Sequence, residues 1–141
     1  MVKLNGSYTI VSTLGPEIGP QAQLDNVDAN ASIPIVSLPE GSLPQVWVFT
    51  LTEGDGDHIL RVGDGTAANI NNLVAAVPEP DNTQWWITFN PLDASLYCIQ
   101  TIERQRGWVL KDTKPSTQVS VHVPVLQLTG WILKRLHLGR G

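Results

Sequence analysis

Disulfides are the first thing this sequence excludes, because Cys98 is the single cysteine in 141 residues. It sits in the apolar stretch LYCI, where a buried, inert thiol is the expected role. Charge is also scarce: Asp, Glu, Lys and Arg make up 16% of the chain, and the net charge is -4. A nucleic-acid footprint needs a basic patch. The one basic cluster, Lys134, Arg135 and Arg140, lies at the C-terminal end and reads as a solvated tail. No apolar run approaches the length of a membrane-crossing helix. The opening MVKLNGSYTI has one Lys and no apolar segment of the kind a secretory signal carries. A cytoplasmic protein is therefore expected, in which Asn5-Gly6-Ser7 and Asn30-Ala31-Ser32 stay unglycosylated. Helix-period patterning is missing as well.

Turn formers and tryptophan are present instead. Twelve Gly and ten Pro in a chain that is 42% apolar predict many short strands around a real core. The length suits one domain, residues 1–141. Three Trp-centred apolar strands recur: QVWVFTL from Gln45, QWWITF from Gln84 and TGWILKRL from Thr129. Each follows a short apolar strand ending in Pro39, Pro78 or Pro124, and the Pro-to-Trp distance is eight residues to Trp47, eight to Trp86 and seven to Trp131. A third element recurs as QLDN at 23–26, NINN at 69–72 and VLKD at 109–112. A fourth recurs as SYTI at 7–10, DHIL at 57–60 and LYCI at 96–99, which aligns Tyr8 with His58 and Tyr97.

Four strands repeated three times, with Gly, Asp and Pro separators, is the pattern of an all-β fold, the β-trefoil. The predicted repeats span about 7–51, 57–90 and 96–136. Six strands would close a barrel and six would cap one end. One register stays open in the second repeat. Aligning the Gln-x-Trp pairs turns Trp86 and Thr88 inward, whereas strand alternation turns Trp85, Ile87 and Phe89 inward.

With Gln-x-Trp in two repeats, the chain resembles ricin-B-type β-trefoil lectins over nearly its whole length. The resemblance implies a sugar-stacking aromatic near the end of each third strand. Those positions hold Leu38, Val77 and Val123, none with a flat π face to offer a pyranose. Asp25, Asn26, Asn71, Asn72 and Asp112 remain as polar candidates, and turn capping explains the same residues. The three aliphatic residues would equally suit a homodimer seam or a barrel cap.

The chain also resembles the small mushroom protease inhibitors of the same fold, the mycocypins and especially the cocaprins. It shares their opening G-x-Y-x-I at Gly6–Ile10, their size and their acidity. This resemblance implies inhibition of papain-like cysteine proteases and pepsin-like aspartic proteases. The mycocypin loop that blocks legumain-type enzymes corresponds to GDGTA at 63–67, which holds no Asn, so that activity is not expected.

Unequal spacing locates the candidate contact loops. Tyr8 to Trp47 spans 39 residues, His58 to Trp86 28, and Tyr97 to Trp131 34, so the first repeat carries the surplus. Extra loop length on a rigid scaffold is where binding usually resides. One candidate is the stretch 14–21, with Gly15, Pro16, Glu17, Ile18, Gly19 and Pro20; its two Gly-Pro steps stiffen the chain and allow close approach. Another is Asn26, Val27, Asp28, Ala29, Asn30, Ala31 and Ser32, polar and short-chained. PEGSLP at 39–44 and KDTKPST at 111–117 are further loops, the latter suited to a second target. The expected mechanism is occlusion of the protease cleft, with no covalent step.

Catalysis has little support. His58, His122 and His137 fall on separate strands or the tail, and no nucleophile elbow, HExxH, CxxC or phosphate-binding Gly loop occurs. The acidic run EGDGDH at 53–58 lacks the alternating ligands and distant Glu of a calcium loop and reads as a turn. No catalytic residue, metal ligand or cofactor is expected.

Overall fold

The computed structural model describes residues 3–21, 32–52, 56–63, 65–78, 82–91, 93–123 and 130–136. Among them the chain forms twelve strands: β1 (Gly6–Ser12), β2 (Ile18–Pro20), β3 (Ile33–Ser37), β4 (Trp47–Leu51), β5 (Asp57–Val62), β6 (Gly65–Ile70), β7 (Leu73–Pro78), β8 (Trp85–Asn90), β9 (Asp93–Gln100), β10 (Gly107–Val109), β11 (Ser120–His122) and β12 (Trp131–Arg135). They make a β-trefoil. The antiparallel pairs β12–β1, β1–β4, β4–β5, β5–β8, β8–β9 and β9–β12 close a ring, which leaves no barrel edge unpaired. The hairpins β2–β3, β6–β7 and β10–β11 form the cap, joined through β3–β7 and β7–β11.

The three repeats keep one register. Tyr8 faces Trp47, His58 faces Trp85 and Tyr97 faces Trp131 across the first and fourth strands. Each of these Trp residues donates its indole N–H to the second strand of its own repeat: Trp47 to the Ile18 carbonyl (3.3 Å), Trp85 to Ala67 (3.0 Å) and Trp131 to Trp108 (3.3 Å). Ile18, Ala67 and Trp108 are thus equivalent positions. In the cap hairpins they face Ser37, Ala76 and Val121 respectively.

That register settles the second repeat in favour of strand alternation for Trp85 and Ile87, which are 1% and 0% exposed, while Trp86 turns outward. Alternation does not carry through to Phe89. The ladder shifts between Phe89 and Asn90, leaving Phe89 47% exposed and stacked on Tyr97 with ring centroids 5.4 Å apart. A break in pairing of this kind frees the side chain from the period-two rule.

Trp108 fills the centre of the core. Its ring lies 6.0 Å from Trp47, 5.3 Å from Trp85 and 6.1 Å from Trp131, edge-on or tilted to each. Equivalent positions in the other repeats hold Ile18 and Ala67, so one large ring serves where three would collide. Burying an indole of about 200 Å² contributes up to about 5 kcal/mol. That is comparable with the ~2–4 kcal/mol a disulfide supplies, and the four buried indoles stabilise a chain that cannot form an internal one.

Turn chemistry matches the hairpins. Asn71 and Asn72 both have positive φ (53° and 67°), the conformation a two-residue turn between β6 and β7 demands and one Asn tolerates.

Candidate functional site

At the cap end, three connections converge on one side of the molecule. The first follows β1. Ser12 N–H donates to the Pro16 carbonyl (2.8 Å) and Gly15 N–H to the Ser12 carbonyl (2.9 Å), which closes a tight turn with Gly15 at φ 127°. The second joins β3 to β4. Within it, the Ser42 hydroxyl donates to the Pro39 carbonyl (2.7 Å), and Leu43 stands 81% exposed. Glu17 ties these two together: its carboxylate accepts the Gln45 N–H (2.8 Å) and its carbonyl accepts the Leu38 N–H (2.9 Å). Lys111–Thr117, between β10 and β11, makes the third. There the Asp112 carboxylate accepts the Lys114 N–H (3.1 Å), and the Thr117 hydroxyl donates to the Lys114 carbonyl (2.7 Å).

Between them lies an open cleft of about 560 Å³, lined by Gly15, Pro16, Glu17, Leu38–Ser42, Thr113 and Pro115. Its walls come from repeats one and three, so loops that the sequence spreads over a hundred residues form one face. Exposed Glu40, Lys111 and Lys114 give that face mixed charge.

The predicted loop at 14–21 requires correction. Only its first part is a connection. Ile18, Gly19 and Pro20 form β2, paired with Ser37, Val36 and Ile35. Ile18 is 0% exposed in the core and Gly19 is buried, so neither presents a surface to a partner. The reason lies in packing. Ile18 sits among the core residues beside Trp47, and Gly19 lies under the Gln45 and Leu38 side chains, where an added Cβ would come within 3.0 Å and 3.1 Å of their atoms. Pro20 is tolerated because β2 ends the strand order, where a missing N–H costs no ladder bond. Gly15, Pro16 and Glu17 keep their place on the candidate face. Of the second predicted loop, Asn26, Val27, Asp28, Ala29, Asn30 and Ala31 lie outside the described residues; Ser32 is exposed just ahead of β3. The recurring element read at 23–26 also lies outside the described residues, and β2 at 18–20 is the strand equivalent to β6 and β10.

Sequence reasoning gave Ser37 no role. It is 0% exposed and is bonded to the third loop through both its backbone and its hydroxyl. A lone Ser at the end of an apolar strand offers no signal without the partner it meets.

Among the described residues, Cys98, His58 and His122 lie on separate strands, and His137 lies outside them. Cys98 is buried in β9, and burial pushes its thiol above the ordinary value. His58 is buried at β5, held below its ordinary value by burial, against the opposing effects of the Gly56 carbonyl and the Asp57 charge. His122 is exposed at the end of β11. The lectin-type platform positions carry half-buried Leu38 and Val77 and a 69% exposed Val123.

A family model described as peptidase inhibitor I66 matches residues 3–129. The chain belongs to that family of peptidase inhibitors. No curated protein sequence matches it. Solved structures share the trefoil of this family member at low identity. A proteinase inhibitor from Coprinopsis cinerea is 18% identical with a TM-score of 0.78, over 96% of this chain and 100% of that one. A ricin B-like lectin of Macrolepiota procera, solved with lactose, is 21% identical with a TM-score of 0.72, over 96% and 99%. The Rhizoctonia solani agglutinin is 17% identical with a TM-score of 0.73, over 96% and 99%. At these identities the likeness establishes the fold, and the family match carries the inhibitory role.

Proposed function

We propose that the chain inhibits papain-like cysteine proteases and pepsin-like aspartic proteases by covering their substrate clefts with surface loops. The observation that carries this reading is the convergence of Gly15–Glu17, Leu38–Ser42, Thr113 and Pro115 around one cleft, the first two connections tied together through Glu17 and the third braced by bonds within itself. A loop already held in one conformation loses little entropy on docking. Pro16, Pro39, Pro44 and Pro115 add to that stiffness. The exposed Leu43 offers an apolar anchor at the tip of the longest rim. A stable complex buries about 800 Å² on each partner, within reach of three adjoining loops.

No nucleophile or metal is required, because blocking access suffices. A thiolate–imidazolium pair and a carboxyl dyad present different charges, so the two protease classes take two surfaces. We take the cleft face for the papain-like class; the loop at 26–32, of which only Ser32 is among the described residues, stays the sequence-based candidate for the other.

Titrating the protein against a papain-like, a pepsin-like and a trypsin-like protease tests this. Saturable loss of activity in the first two is the expected result, with both bound at once in a ternary complex. Inhibition confined to the serine protease, or mutual exclusion of the first two, overturns the assignment of classes and faces. Full activity of all three enzymes, with capture on a glycan array, transfers the function to sugar binding.

A further inference from the structure

We infer that Ser37 is a positioning residue for the protease-facing loop Lys111–Thr117, which it clamps across the molecule. This rests on the inhibitor reading above for its function, though not for its geometry.

The contacts are dense for one small side chain. The Ser37 hydroxyl donates to the Lys114 carbonyl, 77 residues along the chain, and accepts the Thr117 N–H at 3.1 Å, 80 residues along. Its backbone N–H donates to the Thr117 carbonyl (2.8 Å), and its carbonyl accepts the Ser116 N–H (2.8 Å). The clamp therefore grips both sides of Pro115. Ser116, next in line, has positive φ (67°), a conformation Ser adopts at a cost and that the surrounding bonds must hold.

The trefoil supplies its own control. The threefold-equivalent positions, set by the indole bonds and by the partners of Ile18, Ala67 and Trp108, carry Ala76 and Val121. The cap accepts an aliphatic side chain at this place in two repeats of three, so the hydroxyl is not required by the strand pairing. What distinguishes Ser37 is the loop it holds. Burial adds to the effect, since a hydrogen bond shielded from water meets little competition from solvent.

The test compares wild type, Ser37→Ala and Ser37→Thr. The first matches Ala76; the second keeps the hydroxyl on a β-branched frame like that of Val121. In the free protein, amide hydrogen exchange at Thr113, Lys114, Ser116 and Thr117 should accelerate about tenfold in Ser37→Ala, the loss of roughly one net hydrogen bond. Val119 and Val121 should stay protected, and Ser37→Thr should restore the loop. With a papain-like protease, Ser37→Ala should dissociate about tenfold faster at a nearly unchanged association rate. It should also be cut within 111–117 where wild type is not.

Unchanged exchange in the loop overturns the clamp whatever the inhibition assays give. Faster exchange with unchanged dissociation overturns the positioning role. Lys114→Ala separates these failures from failure of the inhibitor reading: if wild type leaves papain-like activity unchanged, that reading fails; if wild type inhibits and Lys114→Ala inhibits equally, the face is wrong; in both cases the exchange data still judge the clamp. Should Ser37→Ala not fold, Thr117→Val, which removes the other hydroxyl on the Lys114 carbonyl, gives the same readouts.

Discussion

Trp131 donates its indole N–H to the carbonyl of Trp108, 3.3 Å away, while the N–H of Trp108 itself meets no hydrogen-bond partner among the described residues. Two indoles of equal volume, in contact and both buried, therefore differ by one bond. Replacing Trp131 with Phe leaves a buried carbonyl without that donor; replacing Trp108 with Phe removes an N–H that had no partner. Both lose packing, but Trp131→Phe should be the more costly by about 1 kcal/mol. Urea unfolding of the two variants checks it. Equal losses would mean that the indole bonds shared by the three repeats contribute nothing net.

His58 should make stability depend on pH. Its Nε2 accepts the Leu4 N–H (2.9 Å) while Nδ1 lies 2.9 Å from the Gly56 carbonyl, an arrangement that only the neutral ring with its proton on Nδ1 satisfies. Burial lowers its folded-state value below 6.5, so the unfolded chain binds the proton first as pH falls. The contribution is complete above pH 6.5 and is lost as pH drops through the folded-state value. Tm measured from pH 7.5 down to about 5, where ordinary carboxylates remain ionised, should fall in wild type and fall less in His58→Gln. Parallel curves for the two proteins would contradict the assignment.

Gly19 should couple the core to the candidate face. A side chain there meets Gln45 and Leu38, which support the rim that carries Leu43. Gly19→Val should cost about 1–3 kcal/mol by overpacking and weaken protease inhibition by displacing that rim. Inhibition titrations beside urea curves check both effects. Unimpaired inhibition in a destabilised variant would remove the Leu38–Gln45 rim from the contact surface.

Much of the fold was readable because repetition supplies its own alignment. Tyr8, His58 and Tyr97 were matched by residue pattern, and each faces a Trp in the structure. β2 escaped because its residues, Ile18-Gly19-Pro20, carry two of the strongest turn signals; only the depth of Ile18 and the tight cover over Gly19 show why a strand runs there. Trp108 escaped because its equivalents are Ile and Ala, so no periodicity marked it. Loops distant in sequence, such as 15–17 and 111–117, give no local hint that they will meet. Ser37 shows the same limit at a single residue, since its partners lie 77 and 80 positions away.

The most direct measurement of the central claim is hydrogen exchange of the whole chain with and without a saturating papain-like protease. Protection gathered in Gly15–Glu17, Leu38–Gln45 and Lys111–Thr117 is the predicted result. Protection at other surfaces, such as Ile102–Arg106 and Asn71–Leu73, with none around the cleft, would contradict it.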